Sequence, residues 1–270
     1  MRRRTLLLSA AAIAACPGAG RAAEDALARA VQAPGRSAKF VARDGARHPL
    51  EELAFFGVGP ESSVVEIWPG GGYWTEILAP LLHDQGTLRL AMAPADGGAA
   101  DVHFAKATAP MREKLAADPA VYGRVMLTEL GQGHDALAPA GSVDVVLTFR
   151  NLHNWLGQGD APEMLAAIHA ALKPGGVLGI EDHRGSAARP QDPKAESGYV
   201  RQDYAVALVE RAGFELAGSS EVSANPRDTA DWPKGVWTLP PVLAMGEQDR
   251  AKYLAVGEAD NFVLKFRKVG

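Results

Sequence analysis

Apolar and polar positions alternate in blocks along this chain, and the blocks predict strands and helices in regular succession. Val64, Val65 and Ile67 form a short β-branched run that ends on Trp68-Pro69-Gly70-Gly71-Gly72. Beyond it Tyr73, Trp74, Ile77, Leu78, Leu81 and Leu82 recur at helical spacing, so a buried strand, a glycine turn and a helix are expected in that order. Further strands are predicted at Thr87–Met92, Arg124–Leu130, Val143–Phe149, Val177–Ile180, Glu215–Val222 and Asn261–Arg267. The helical blocks are Glu24 to Gly35, a segment opened by Pro49, Met111–Ala117, Glu163–Leu172 and Tyr204–Ala212. Pro49 suits a first helical turn, and Lys173-Pro174-Gly175-Gly176 stops the helix before it.

Strands alternating with helices imply a doubly wound α/β fold with a mostly parallel sheet. Such sheets bind ligands at the carboxyl ends of their strands, where the strand order reverses. Three polar groups fall at predicted strand ends: Glu66 with the glycine turn, Arg150-Asn151-Leu152-His153-Asn154-Trp155, and Glu181-Asp182-His183-Arg184. Glycines let a backbone approach a ligand closely, and a following helix directs its free N–H groups to the same place. An ordinary strand-to-helix turn has the same pattern.

The chain's 270 residues, 47% of them apolar, can bury a full core. A net charge of −4 gives no basic footprint for nucleic acid. The amino terminus has its own layout: Arg2-Arg3-Arg4, an apolar run from Leu6 to Ala15, then small residues around Gly20-Arg21-Ala22-Ala23. That is the order of a secretory signal, with the arginines loosely suggesting twin-arginine export. The single cysteine, Cys16, follows Ile13-Ala14-Ala15 in the manner of a bacterial lipoprotein signal. Residues 1–22 are thus read as a signal peptide, or 1–15 as a lipoprotein signal with Cys16 lipidated and attached to the membrane. A mitochondrial presequence fits the unbroken apolar run less well. The expected location is the bacterial periplasm, with 23–270 as the folded domain and an insertion at about 223–250.

Val64-Val65-Glu66-Ile67-Trp68-Pro69-Gly70-Gly71-Gly72 and Ala171-Leu172-Lys173-Pro174-Gly175-Gly176-Val177-Leu178 together resemble class I methyltransferases that use S-adenosylmethionine. Asp260 to Phe266 is similar to the antiparallel seventh strand of that fold. Glu-Ile-Trp-Pro-Gly-Gly-Gly, Arg-Asn-Leu-His-Asn-Trp and Asp231 to Pro241 resemble a group of exported, predicted methyltransferases, over about Arg43 to Lys268. A nicotinamide-binding domain fits less well, because the turn lacks the third glycine of Gly-x-Gly-x-x-Gly.

The resemblance implies a seven-stranded sheet with an antiparallel last strand, S-adenosylmethionine as cofactor and a small methyl acceptor. It implies that Glu66 orders the glycine loop and that Trp68, Pro69, Gly70, Gly71, Gly72, Tyr73 and Met92 surround the cofactor. Glu129 or Asp135 would contact its adenine. Trp68 stands where the family has its first glycine. Met92-Ala93-Pro94 stands where it supplies an acid for the ribose, and Asp96 would be the substitute for that acid.

Methyl transfer needs alignment and sometimes a base. His153, Arg150, Asn151, Asp182 and His183 are the candidate catalytic residues. Arg150 would bind an acidic acceptor or pair with Asp182. Tyr73 and Trp74 have faces suited to a sulfonium cation, and both also fit a buried stripe. His48, His83, His103, His134 and His169 show no metal-ligand spacing, and no metal site is expected. Trp232, Trp237 and the prolines of 223–250 suggest a lid, with Pro226 to Pro241 over the acceptor pocket and Ser186 to Tyr199 as a second flap. An exported binding protein that keeps the fold without methyl transfer, and a hydrolase built on His153 or His183, remain as alternatives.

Overall fold

The computed structural model describes residues 17–270, with side chains from Arg21 onward. The leading arginines, the apolar run and Cys16 lie outside the described residues. The elements follow in the order α1 (Pro17–Val31), α2 (Ala38–Val41), α3 (Asp44–Arg47), α4 (Pro49–Phe56), β1 (Ser63–Ile67), α5 (Thr75–Leu82), β2 (Thr87–Met92), α6 (Ala99–Ala105), α7 (Thr108–Ala117), α8 (Pro119–Tyr122) and β3 (Met126–Glu129). Then come β4 (Val143–Phe149), α9 (Leu152–Gln158), α10 (Ala161–Ala171), β5 (Leu172–His183), α11 (Gln202–Arg211), β6 (Phe214–Ser220), β7 (Pro233–Val236), α12 (Arg250–Val256) and β8 (Asn261–Lys268).

Seven strands make one sheet in the order β3-β2-β1-β4-β5-β8-β6. The pairs from β3 through β5 are parallel, and β8 runs antiparallel to both β5 and β6. The strand order reverses between β1 and β4, which places a ligand crevice above their carboxyl ends. The central strands are buried on both faces, which explains their nearly continuous Val, Ile and Leu. One face packs Leu53, Phe56, Ile77 and Leu78, from α4 and α5; the other packs Leu165, Ile168 and Val209, from α10 and α11.

Two departures from the local pattern bear on function. Arg150 to Trp155 is not simply a loop: Leu152, Trp155 and Leu156 recur at helical spacing and are buried, so α9 begins directly after β4. Strand β5 is longer than its apolar centre suggests, running on through Glu181, Asp182 and His183 because β8 pairs with them at Val263, Phe262 and Asn261. Those three polar residues are therefore held on a sheet rather than on a solvated loop. Among the described side chains of α1, the buried Leu27 and Ala30 both lie beyond either expected cleavage point.

Candidate active site at the carboxyl ends of the strands

The glycine turn begins with strain. Trp68 has φ of 45°, in the left-handed region that costs a non-glycine residue about 1–2 kcal/mol. Contacts offset it: the Trp68 amide donates to Ala91 O at 2.9 Å and its indole Nε1 to Leu130 O at 2.8 Å. The indole stacks on Phe104 with centroids 5.0 Å apart and meets Trp155 edge-on. It therefore lies across the end of β2, packed with Ala91 and Ala93. Gly70 (φ 56°) and Gly72 (φ 86°) need glycine for their backbone. At Gly70 a Cβ would meet nothing, so space for a ligand is open there, whereas at Gly72 it would meet Met111 and Lys114 of α7 at 3.2 and 3.3 Å. Gly72 thus packs closely against α7 on the side where a Cβ would stand. Gly71 is exposed, with the Phe40 ring 3.4 Å from where a Cβ would stand, and Pro69 is half-buried.

Glu66 braces the turn from below. It is fully buried, and its Oε2 accepts the Thr75 hydroxyl at 2.7 Å, tying β1 to the start of α5. Burial raises its carboxyl to about 7, against the pull of Thr75 and Arg47. The folded protein then keeps a proton that the unfolded chain has released. Stability from this group is complete below the ordinary value of 4.5 and declines as pH rises towards 7. Glu66→Gln should remove roughly 3 kcal/mol of that decline. Urea unfolding of both proteins at about pH 5 and about pH 8 checks this; an identical pH slope would show that Glu66 is ionised throughout.

Tyr73 and Trp74 do not offer free faces. The Arg47 guanidinium sits 4.3 Å from the Tyr73 centroid and 4.9 Å from that of Trp74. Trp74 stacks on Phe149 at 4.0 Å, and the Tyr73 hydroxyl donates to Asp44, which also takes a two-pronged bond from Arg36. The protein's own cation occupies the place suggested for a sulfonium.

Arg150, with φ of 62°, pairs with Glu258 at 3.1 Å and not with Asp182. Glu258 is also gripped by both ends of the Arg43 guanidinium. Burial works against the Arg150 charge, yet Glu181 and Glu258 hold it above the ordinary value. The Asn151 amide donates to Ile67 O and Thr148 Oγ1 at 3.1 and 3.2 Å, joining the ends of β1 and β4. These bonds give it a positioning role between the two strand ends.

Asp182, fully buried, gathers both histidines. Its Oδ1 takes His153 Nδ1 at 2.8 Å and the His183 amide at 2.7 Å, and its Oδ2 takes the His153 amide at 2.9 Å. Burial opposes the carboxylate, but His153 and the other donors hold it below the usual range. An ionised carboxylate only accepts, so His153 Nδ1 carries a proton, and the neutral form of the ring has its lone pair at Nε2. His183 is fixed in the same sense. Its Nδ1 meets Asn261 Oδ1 at 2.7 Å, and Asn261 Nδ2 donates to Glu181 Oε1 at 3.0 Å, which sets the amide's orientation. Burial pushes His183 down to about 3, so the ring is neutral.

His153, His183 and Arg150 line a cavity of about 490 Å³ together with Arg43 and Phe104. Its opposite wall is Val236, Trp237, Leu239, Pro240, Pro241 and Val242, from the segment expected to cover a pocket. The second flap packs against this wall instead of standing apart: the Val236 amide donates to Ser197 O, and Tyr199 is bound to Asp228. Met92 lies under a separate cavity of about 430 Å³, with Glu129 and Asp135. His134 bridges Glu129 and Asp96, leaving the exposed Asp135 without a partner among the described residues. Arg43, Arg47, Glu258 and Asn261 were not singled out from the sequence. Asn261 stands in the Asp260-Asn261-Phe262 run, but its partners lie some 80 residues away.

No protein-family model and no curated protein matches this sequence. Solved structures do. A SAM-dependent methyltransferase from Aquifex aeolicus superposes with a TM-score of 0.54 over 84% of this chain and 93% of that one, at 16% identity. The [4+2]-cyclase SpnF gives 0.53 over 83% and 81%, at 17% identity. One of these is named for methyl transfer and the other for a cyclisation, so the likeness concerns architecture. This chain has the Rossmann-like fold of the class I methyltransferases, with six mutually parallel strands and an antiparallel β8.

Proposed function

We propose that this chain is an S-adenosylmethionine-dependent methyltransferase acting on a small acceptor, in a protein exported from the bacterial cytoplasm. The observation that carries it is the joining of two features at one sheet edge. A braced glycine turn follows β1, and beside it a 490 Å³ cavity presents two fixed imidazoles. The amino-terminal layout supports export, and the mass of the processed chain decides between cleavage after Ala22 and lipidation at Cys16.

The residues fit the cofactor at its two ends. Open space at Gly70, over a loop braced by Glu66, suits the amino-acid end, and Asp135 beside the 430 Å³ cavity suits an adenine amino group. The middle differs from the family pattern: the end of β2 has no acid, and the Trp68 indole covers it. Ribose hydroxyls would meet an indole there instead of a carboxylate, which weakens binding.

S-adenosylmethionine, when bound, supplies an electrophilic methyl group. The chain's own part is to seat the acceptor, exclude water and take a proton. Trp237, Pro240 and Pro241 close the acceptor cavity from one side. Arg150 orients an acceptor with negative charge, and His153 Nε2 or His183 Nε2 receives an acceptor O–H or N–H. Calorimetric titration of the purified protein with S-adenosylmethionine and S-adenosylhomocysteine tests the proposal. Binding in the micromolar range is expected, and no heat from folded protein would overturn it.

A further inference from the structure

The imidazoles of His153 and His183 pose a problem of hydrogen-bond accounting. Both Nδ1 atoms are committed as donors, to Asp182 and to Asn261. In the neutral rings both Nε2 atoms are therefore acceptors, and no donor from the described residues meets either one. The donors nearest in the chain point elsewhere: both backbone amides go to Asp182, Arg43 and Arg150 each bond Glu258, and the Asn154 amide goes to Arg150 O. The rings stand 5.4 Å apart, both buried and both lining the 490 Å³ cavity. One ligand atom from each of His153, Asp182 and His183 lies within 4.8 Å of the others.

Two imidazole lone pairs facing one cavity can share a single bound ion. A metal-bound histidine characteristically gives its other ring N–H to a carboxylate or an amide oxygen, which fixes tautomer and orientation. Both rings here have that arrangement. Charge does not oppose it, since Asp182, Glu181 and Glu258 match Arg43, Arg47 and Arg150 around the site. Two imidazole nitrogens select first-row transition ions and not magnesium or calcium, which take oxygen ligands.

We infer that His153 and His183 bind a divalent first-row transition-metal ion through their Nε2 atoms, with Asp182 and Asn261 fixing the rings and the remaining positions open to the cavity. A ligand hydroxyl entering those positions would be acidified by the metal as a Lewis acid and lose its proton to water. With two protein ligands the site is weaker than a three-ligand zinc centre. The inference does not require methyl transfer, and with the ion bound neither Nε2 serves as the proton acceptor of the proposed methyl transfer.

The test uses the full chain, stripped with a chelator and titrated with cobalt(II), whose visible bands report nitrogen ligation, and with zinc by calorimetry. One ion per chain with those bands is expected, and magnesium should give no heat. His153→Ala and His183→Ala should each weaken binding at least tenfold, and Asp182→Asn by roughly 10- to 100-fold. A wild-type cobalt spectrum identical to that of the aqueous ion would overturn the inference without any variant. So would binding that survives the double His153→Ala/His183→Ala variant and is lost in His134→Ala, because His134 also lies between two carboxylates at the surface. Titration of the same preparations with S-adenosylhomocysteine reports the cofactor proposal separately.

Discussion

Arg47→Ala is expected to destabilise the protein by about 3–5 kcal/mol, the usual cost of removing one partner from a buried ion pair. Arg47 is 4% exposed and reaches Glu181 Oε2 at 3.1 Å. Burial and Arg150 lower its guanidinium to about 10, with Glu181 pulling the other way. Glu52 shares this interior with 0% exposure, its carboxyl pushed well above the usual range by burial and by Glu181. Alanine would remove the guanidinium bonded to Glu181, leaving Arg150 as its neighbouring cation, and would strip the Tyr73 and Trp74 faces of their cation contact. Urea denaturation gives the loss directly, and adding Glu181→Gln should recover part of it by removing the stranded charge. A loss within about 0.5 kcal/mol, as at a plain surface site, would show that water reaches the pair.

Trp68→Gly is expected to tighten binding of S-adenosylhomocysteine roughly 10- to 100-fold. To seat a ribose at the end of β2, the wild-type indole must leave its stack on Phe104 and its bond to Leu130 O. An aromatic pair and a hydrogen bond are each worth about 1 kcal/mol, and each 1.4 kcal/mol is tenfold in affinity. Glycine also relieves the left-handed backbone by about 1–2 kcal/mol, but loses a buried tryptophan worth about 3–5 kcal/mol. The variant is therefore less stable overall, and Phe104→Ala serves as a second route that opens the same place without touching the loop. Calorimetry on both decides it. Unchanged or weaker affinity in folded variants would show that the indole is a wall of the cofactor site.

Much of this architecture is written in short-range pattern. The β-branched runs, the glycine turn and the Lys-Pro-Gly-Gly stop each act within a few residues, so strands, their order of appearance and the sheet edge that carries the chemistry follow from the sequence. His153, Asp182 and His183 could be picked out because polar residues at the end of an apolar strand are costly without a purpose. The likeness of Trp68-Pro-Gly-Gly-Gly to a cofactor turn was equally visible.

Which way those groups face was not. Arg150 answers to Glu258 rather than Asp182, and Arg43 to the same Glu258 across 215 positions. Asn261 fixes the His183 tautomer only because β8 pairs antiparallel with β5 and sets His183 opposite Asn261. Asn151 spends its amide on strand ends, and Arg47 folds back over the aromatic pair next to the turn. Local spacing determines secondary structure because it depends on backbone geometry and on which face is wetted. Ion-pair partners, ring tautomers and the path of the Trp68 indole depend on distant segments meeting in one register, and only the closed tertiary structure decides them.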